Sequence, residues 1–259
     1  MEKRMGKTLY IYSPKGGVGK TTLALNLAGI ASKKGLSVLL MDLDMVGGGI
    51  SMLIDEDINK TIFQFIDDAT NNRFSSVKDY VYKYNENIDI LCAPKDPRQG
   101  NKISSRYVEL VLERVHSFYD IILLDSSSVL DDINVVTLDI ADLILFVLTN
   151  DAVHLKNLRN IISIFKDNEM DNFKVLLNMS NDFKDPYYSV FDMEKIIASP
   201  ITYTLTHEFF IKNITSYIIN NKIPILENNV YKKSRQDTKT LEKIIEDFTF
   251  KEDTHEKEK

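Results

Sequence analysis

The stretch Ser13-Pro14-Lys15-Gly16-Gly17-Val18-Gly19-Lys20-Thr21-Thr22 decides the fold. An apolar run, Thr8–Ser13, leads into it, and Leu23, Leu27 and Ile30 follow at helical spacing. Phosphate oxygens need several donors within a small space and no side chains in the way. Glycines at 16, 17 and 19 allow backbone N–H groups to turn inward around an anion. A helix starting near Lys20 adds its positive end. Lys20 can reach the β- and γ-phosphates, and the Thr21 hydroxyl is placed to ligate Mg²⁺. The segment reads as a phosphate-binding loop between a buried strand and an amphipathic helix.

Outward from the loop, short unbroken apolar runs rich in branched residues recur at Ser37–Met41, Ile88–Cys92, Asp120–Leu124, Leu143–Leu148 and Phe173–Asn178. Such runs suit parallel strands buried on both faces. Between them, Val108, Val111, Leu112 and Val115 share a helical face, as do Leu155, Leu158, Ile161, Ile162 and Phe165. Strand alternating with helix predicts an α/β fold: a doubly wound, mostly parallel twisted sheet with helices on both faces. After Asn178 the expected order is a polar loop through Ser180–Tyr188, a helix over Asp192–Ala198 and a short run around Pro200–Tyr203. Helices over His207–Asn220 and Asp237–Phe248 complete it. No composition shift marks a second domain, so residues 1–250 are expected to form one unit and 251–259 a charged flexible tail.

The 259 residues, 44% hydrophobic and 27% charged, are ordinary for a globular chain with a sizeable core. No segment approaches the roughly 20 apolar residues needed to span a bilayer. Nor does the N-terminus read as a secretory signal, and the lone Cys92 suits a reducing compartment, so a cytoplasmic location is expected. A net charge of −6 disfavours a surface that coats nucleic acid everywhere, without excluding a local basic patch. Cys92 lies in an apolar run and reads as core, and the four histidines show no metal-ligand spacing.

The string Lys15-Gly16-Gly17-Val18-Gly19-Lys20-Thr21-Thr22, with Pro14 where an ordinary loop of this kind has glycine, resembles the deviant Walker A motif of the ParA/MinD family of P-loop ATPases. The resemblance implies ATP and Mg²⁺ as cofactors, with Gly16 through Thr22 around the phosphates. It implies that Lys15 crosses a dimer interface to touch the partner's nucleotide, which makes ATP the bridge of a homodimer. Tyr119–Asp125 is an apolar strand ending in a carboxylate and resembles the family's Walker B element, with Asp125 serving the metal. Asp42-Leu43-Asp44 resembles switch I. There Asp44 would position the attacking water, and Asp42 would support the metal side. By the same resemblance Lys15, Lys20 and Asp44 are the catalytic set, Thr21, Asp42 and Asp125 the metal set, and Asn178 a contact for adenine. Slow, partner-stimulated ATP hydrolysis is the implied activity.

Two segments depart from the family pattern. Met45-Val46 and Gly47-Gly48-Gly49 follow Asp44 where Pro-Gln is common, and Ser126-Ser127-Ser128 replaces a proline-containing turn after Asp125. The triple glycine suggests a mobile loop that a γ-phosphate could order. Taken together, the motifs look closest to the CpaE/TadZ pilus-positioning branch. That implies a spatial-positioning switch with a protein partner from a pilus, secretion or partition system, recruited by it to a pole or other site.

Alternatives stay open. Two basic clusters, Lys95/Arg98/Lys102/Arg106 and Lys232/Lys233/Arg235/Lys239, would suit a partition ATPase that binds DNA nonspecifically, though no aromatic platform accompanies them. The altered switches also allow a non-hydrolysing nucleotide-binding scaffold. Membrane binding by a C-terminal helix is not expected. Leu241, Ile244, Ile245 and Phe248 form an apolar stripe, but Glu242, Lys243, Glu246 and Asp247 sit on the other face, and packing on the sheet explains the stripe better.

Overall fold

A computed structural model describes residues 5–54, 57–180, 187–209, 214–227 and 235–250. Its strands are β1 (Lys7–Tyr12), β2 (Val38–Asp42), β3 (Tyr82–Lys83), β4 (Ile88–Leu91), β5 (Ile121–Asp125), β6 (Leu143–Leu148), β7 (Phe173–Asn178) and β8 (Tyr203–Leu205). They form one sheet in the order β3-β4-β2-β5-β1-β6-β7-β8. Every neighbouring pair is parallel except β3–β4. The six strands predicted from apolar runs are all present, within a residue or two of the expected ends.

The central strands are apolar throughout because both sheet faces are covered. In β1, Leu9 and Ile11 point into one core and Tyr10 and Tyr12 into the other. On the first face lie α1 (Lys20–Lys33) and the long C-terminal helix, α9 (Arg235–Phe250). The opposite face carries α2 (Ile62–Thr70), α4 (Arg106–Val115), α5 (Asp132–Ile140), α6 (Ala152–Asp167) and α7 (Val190–Ile197). Two short helices, α3 (Pro97–Gly100) and α8 (Ile214–Ile219), complete the set. The stripe Leu241, Ile244, Ile245 and Phe248 is buried against α1 and β8, as expected for a packing helix.

Several expectations need correction. The run near Pro200–Tyr203 becomes strand only from Tyr203, where β8 pairs with Leu176–Asn178 of β7. His207–Asn220 is not one helix. A 3-10 turn occupies His207–Phe209, with the Glu208 amide donating to Thr206 Oγ1 at 3.2 Å, and α8 covers Ile214–Ile219; residues 210–213 lie outside the described residues. Residues 251–259, Lys232, Lys233 and most of the Ser180–Tyr188 loop lie outside the described residues.

The order places β1 between β5 and β6, with β2 beyond β5. Loops leaving the carboxyl ends of these four strands therefore gather at one edge of the sheet, where ligands of open α/β sheets bind.

Candidate nucleotide site

The turn from β1 into α1 is built as an anion cradle. Gly17 and Gly19 have φ of 71° and 95°, left-handed values that a side chain would resist. Gly19 is the N-cap of α1, with no side-chain cap and no acidic residue in the first turn. The helix's first amides are thus left to an external acceptor, on the positive end of its dipole.

Beside the cradle, three carboxylates converge. Asp42 and Asp125 are register partners at the ends of β2 and β5, and both are buried. The Thr21 hydroxyl donates to Asp125 Oδ2 at 2.6 Å, while Asp125 Oδ1 is buried with no hydrogen-bond partner among the described residues. Asp42 accepts the Asp44 amide at 3.1 Å and the Ile50 amide at 3.3 Å. Burial and then the neighbouring Asp125 push the Asp42 carboxyl well above its ordinary range. Burial likewise raises Asp125, to about 6, against the opposing effects of the Thr21 hydroxyl and Lys20. Lys20 is buried too, and desolvation lowers its pKa although Asp125 and Asp44 pull it up. A paired, desolvated carboxylate set with a free oxygen and an adjoining hydroxyl is what a hard divalent cation requires. Thr21 and Asp125, predicted from separate segments, come together here with a free carboxylate oxygen that fits Mg²⁺, whereas both oxygens of Asp42, predicted with them, accept backbone amides beside the site.

Lys15 leans away from this centre. Its ammonium lies 3.5 Å from Asp151 Oδ2 in a half-exposed ion pair. Asp151 also caps α6, accepting the His154 amide at 2.9 Å. His154 is fully buried, 2.9 Å from Ser13 Oγ at the start of the loop. Asp151 did not figure in the sequence reading, and His154 entered it only as one of four histidines without metal-ligand spacing. The N-cap pattern ahead of the Leu155/Leu158 face was the available signal.

Asn178 ends β7 against the cradle, donating to the Val18 carbonyl at 2.8 Å and accepting the Ser180 amide at 3.1 Å. It lines a cavity of about 190 Å³ with Gly17, Gly19, Leu23, Leu205 and Phe209. Here its side chain orders the loop itself.

Backbone hydrogen bonds link the switch segment after Asp44 to that residue. The Gly47 amide donates to Asp44 Oδ1 at 2.9 Å and the Gly48 amide to the Asp44 carbonyl at 2.9 Å. A Cβ on Gly48 would collide with the Asp42 carboxylate and approach the Asp44 carbonyl to 2.8 Å, so glycine is there for close approach rather than looseness. After Asp125, Ser126 Oγ donates to the Ile11 carbonyl at 2.7 Å and ties this turn to β1.

Around the same edge, exposed apolar side chains ring the polar centre: Val46 is 65% exposed, Val129 64% and Val153 66%. They leave from the ends of β2, β5 and β6. Elsewhere, Cys92 is buried as expected, and burial pushes its thiol up to about 12. In the first basic cluster Lys95 pairs with Asp57 at 3.8 Å, Arg98 with Asp96 at 2.7 Å, and Arg106 stacks on Tyr107. In the second, Arg235 and Lys239 are exposed on one face of α9, joined by Lys243. Among the described residues no group of three or more histidine, cysteine or acidic side chains is arranged to hold a metal ion by itself, and no helix is long and apolar enough to cross a membrane.

Comparison with known proteins agrees with this geometry. Residues 6–179 match the AAA_31 family, an AAA domain. The sporulation initiation inhibitor protein Soj of Bacillus subtilis is 36% identical over 132 residues, which cover 47% of this chain and 49% of Soj, so the chain spans about half the length of that relative. Among solved structures, a ParA family ATPase from Chlorobium tepidum superposes with a TM-score of 0.77 at 20% identity, covering 92% of this chain and 98% of that one. The septum site-determining protein MinD of Pyrococcus horikoshii, solved with Mg-ADP, gives 0.74 at 20% identity, covering 94% and 96%. These likenesses carry the fold.

Proposed function

We propose that this chain, which belongs to the AAA_31 family of ParA/MinD-type P-loop ATPases, binds and slowly hydrolyses ATP and that ATP joins two copies face to face. The observation that carries the reading is the Thr21–Asp125 pairing beside Lys20, with an unpartnered carboxylate oxygen in front of a left-handed glycine cradle.

The roles follow from position. Amides of Gly16 through Gly19, Lys20 and the first turn of α1, with Thr21 and Thr22, would enclose the phosphates, and Lys20 would reach the γ-phosphate. Thr21 and Asp125 would hold Mg²⁺, with Asp42 behind them fixing the backbone of Asp44. The chemistry a magnesium ion would supply there is positive charge against the phosphates. Asp44, whose carboxylate is oriented by the Gly47 amide, would align the attacking water. Asn178 would meet the adenine side through the cavity it lines. Lys15 sits at the rim, and across an interface it would reach the partner's phosphates. The ring of Val46, Val129 and Val153 supplies apolar area around that rim for a second copy.

A nucleotide touched by both subunits favours the dimer, so hydrolysis would end the bound state. Such a switch suits the spatial positioning of a large assembly such as a pilus or secretion apparatus, as in the CpaE/TadZ-like reading, through a protein partner. A second reading, nonspecific DNA binding in a partition system, is favoured by the exposed Arg235, Lys239 and Lys243 stripe on α9. DNA affinity that requires ATP and falls steeply with salt would select it. For the leading reading, the test is phosphate release from ATP. Release that is measurable in the native chain and lost in Lys20→Ala supports it, whereas none in either leaves a nucleotide-binding scaffold.

A further inference from the structure

Lys15 is held from two directions. Its ammonium pairs with Asp151, and its amide donates to Ser13 Oγ at 3.4 Å. Ser13 is itself fully buried, and its hydroxyl lies 2.9 Å from His154 Nε2. On the other side of the ring, His154 Nδ1 receives the Thr149 amide at 3.2 Å and lies 2.9 Å from the Thr149 hydroxyl. An amide can only donate, so Nδ1 carries the lone pair and Nε2 carries the proton. The Nε2–H therefore donates to Ser13 Oγ, whose two lone pairs serve His154 and Lys15 together. Asp151 closes the circuit by capping His154's own helix while holding the Lys15 ammonium.

We propose that His154 is a positioning residue for Lys15: acting through Ser13, it locks the start of the phosphate loop to the first turn of α6, so the lysine is aimed across the dimer rim. This rests on the reading of Lys15 as the residue that crosses to the partner's nucleotide. Three features separate it from ordinary core packing. The imidazole is buried yet spends both ring nitrogens on polar partners. Burial and the nearby Lys15 hold it neutral, near 4, so its single ring proton stays on the Ser13 side at neutral pH. And α6 presents its exposed Val153 immediately beside this contact, on the rim where a second copy would dock. The Thr21 hydroxyl is held by Asp125 rather than by any member of this circuit.

The test uses the full chain with ATP and Mg²⁺. Sedimentation measures dimerisation and calorimetry measures ADP affinity, for the native protein and for Lys15→Ala, His154→Leu, His154→Gln and Ser13→Ala. Loss of one buried hydrogen bond predicts a dimer constant weakened about tenfold in His154→Leu and in Ser13→Ala, with no further loss in the double variant. His154→Gln, which keeps an N–H near the Nε2 position, is expected to restore dimerisation to within about threefold of native, and ADP affinity in His154→Leu to stay within about threefold. If Lys15→Ala dimerises like the native chain, the trans-lysine reading fails and this inference with it. Should Lys15→Ala abolish the dimer while His154→Leu and Ser13→Ala leave it intact, only the positioning role is overturned. Equal losses of ADP affinity and dimerisation would also overturn it, by showing a general folding role. If His154→Leu does not fold, Ser13→Ala decides the matter.

Discussion

The hydroxyl of Thr21, one residue into α1, donates to Asp125 Oδ2 at the end of β5, at 2.6 Å and across 104 residues of sequence. That bond joins the phosphate loop to the strand beside it and leaves the second carboxylate oxygen buried and unpartnered. Burying a carboxylate is costly unless its lone pairs are used, and a divalent cation would use the free one. Thr21→Val keeps the shape and removes the hydroxyl. The expected result is ATP affinity about tenfold weaker with Mg²⁺ and little changed with EDTA, measured by calorimetry.

Lys20 lies between Asp125 and Asp44, desolvated and with its pKa lowered by burial. A phosphate would add a further charge partner, in direct contact with the ammonium. Charge-assisted hydrogen bonds are worth about 1.5–3 kcal/mol, so Lys20→Ala is expected to weaken ATP binding by roughly 10- to 100-fold. Equilibrium binding of a fluorescent ATP analogue checks this.

Gly48 and Gly49 are neighbours with opposite tolerances. A methyl at 48 meets the Asp42 carboxylate, whereas one at 49 meets nothing within 4 Å. Gly49 has φ −104°, which alanine adopts readily. Gly48→Ala should therefore cost about 1–3 kcal/mol, as overpacking does, and Gly49→Ala within about 0.5 kcal/mol. Urea unfolding of the two variants makes the comparison.

His154 predicts a pH dependence. Its folded pKa is lowered to about 4 from 6.5, chiefly by burial, then by Lys15 and against Asp151. A histidine that must stay neutral in the folded state supports folding fully above its unfolded pKa and loses that support as pH falls toward its folded pKa. The penalty at about pH 5 is on the order of 2 kcal/mol. Because Asp42 and Asp125 shift in the opposite sense, the measurement is the difference between the native chain and His154→Gln. The native chain should lose stability relative to the variant between about pH 6.5 and 4.

Much of this site was legible before the structure, because its parts are local. Ser13–Thr22 reads as a cradle from glycine spacing alone, and the buried strands announce themselves as apolar runs. The carboxylates Asp42, Asp44 and Asp125 were visible as strand ends. What periodicity could not show was pairing between distant segments. Ser13 with His154, and Lys15 with Asp151, depend on β1 lying beside β6, a matter of strand order rather than of either segment. The helix α2 went unread although Thr61 and Gln64 form a capping box at its start, because Ile62, Phe63, Phe65 and Ile66 crowd its first five residues and give no sustained helical spacing. The close approach of Gly48 to the Asp42 carboxylate, six residues before it, is likewise invisible in sequence.

The most direct test of the ATP-bridged dimer is the mass in solution of Asp44→Ala, which should bind ATP but not consume it. With ATP and Mg²⁺, light scattering is expected to give twice the monomer mass, returning to monomer with ADP or when Lys15→Ala is added. A monomer under all three conditions, with ATP demonstrably bound, would contradict the account.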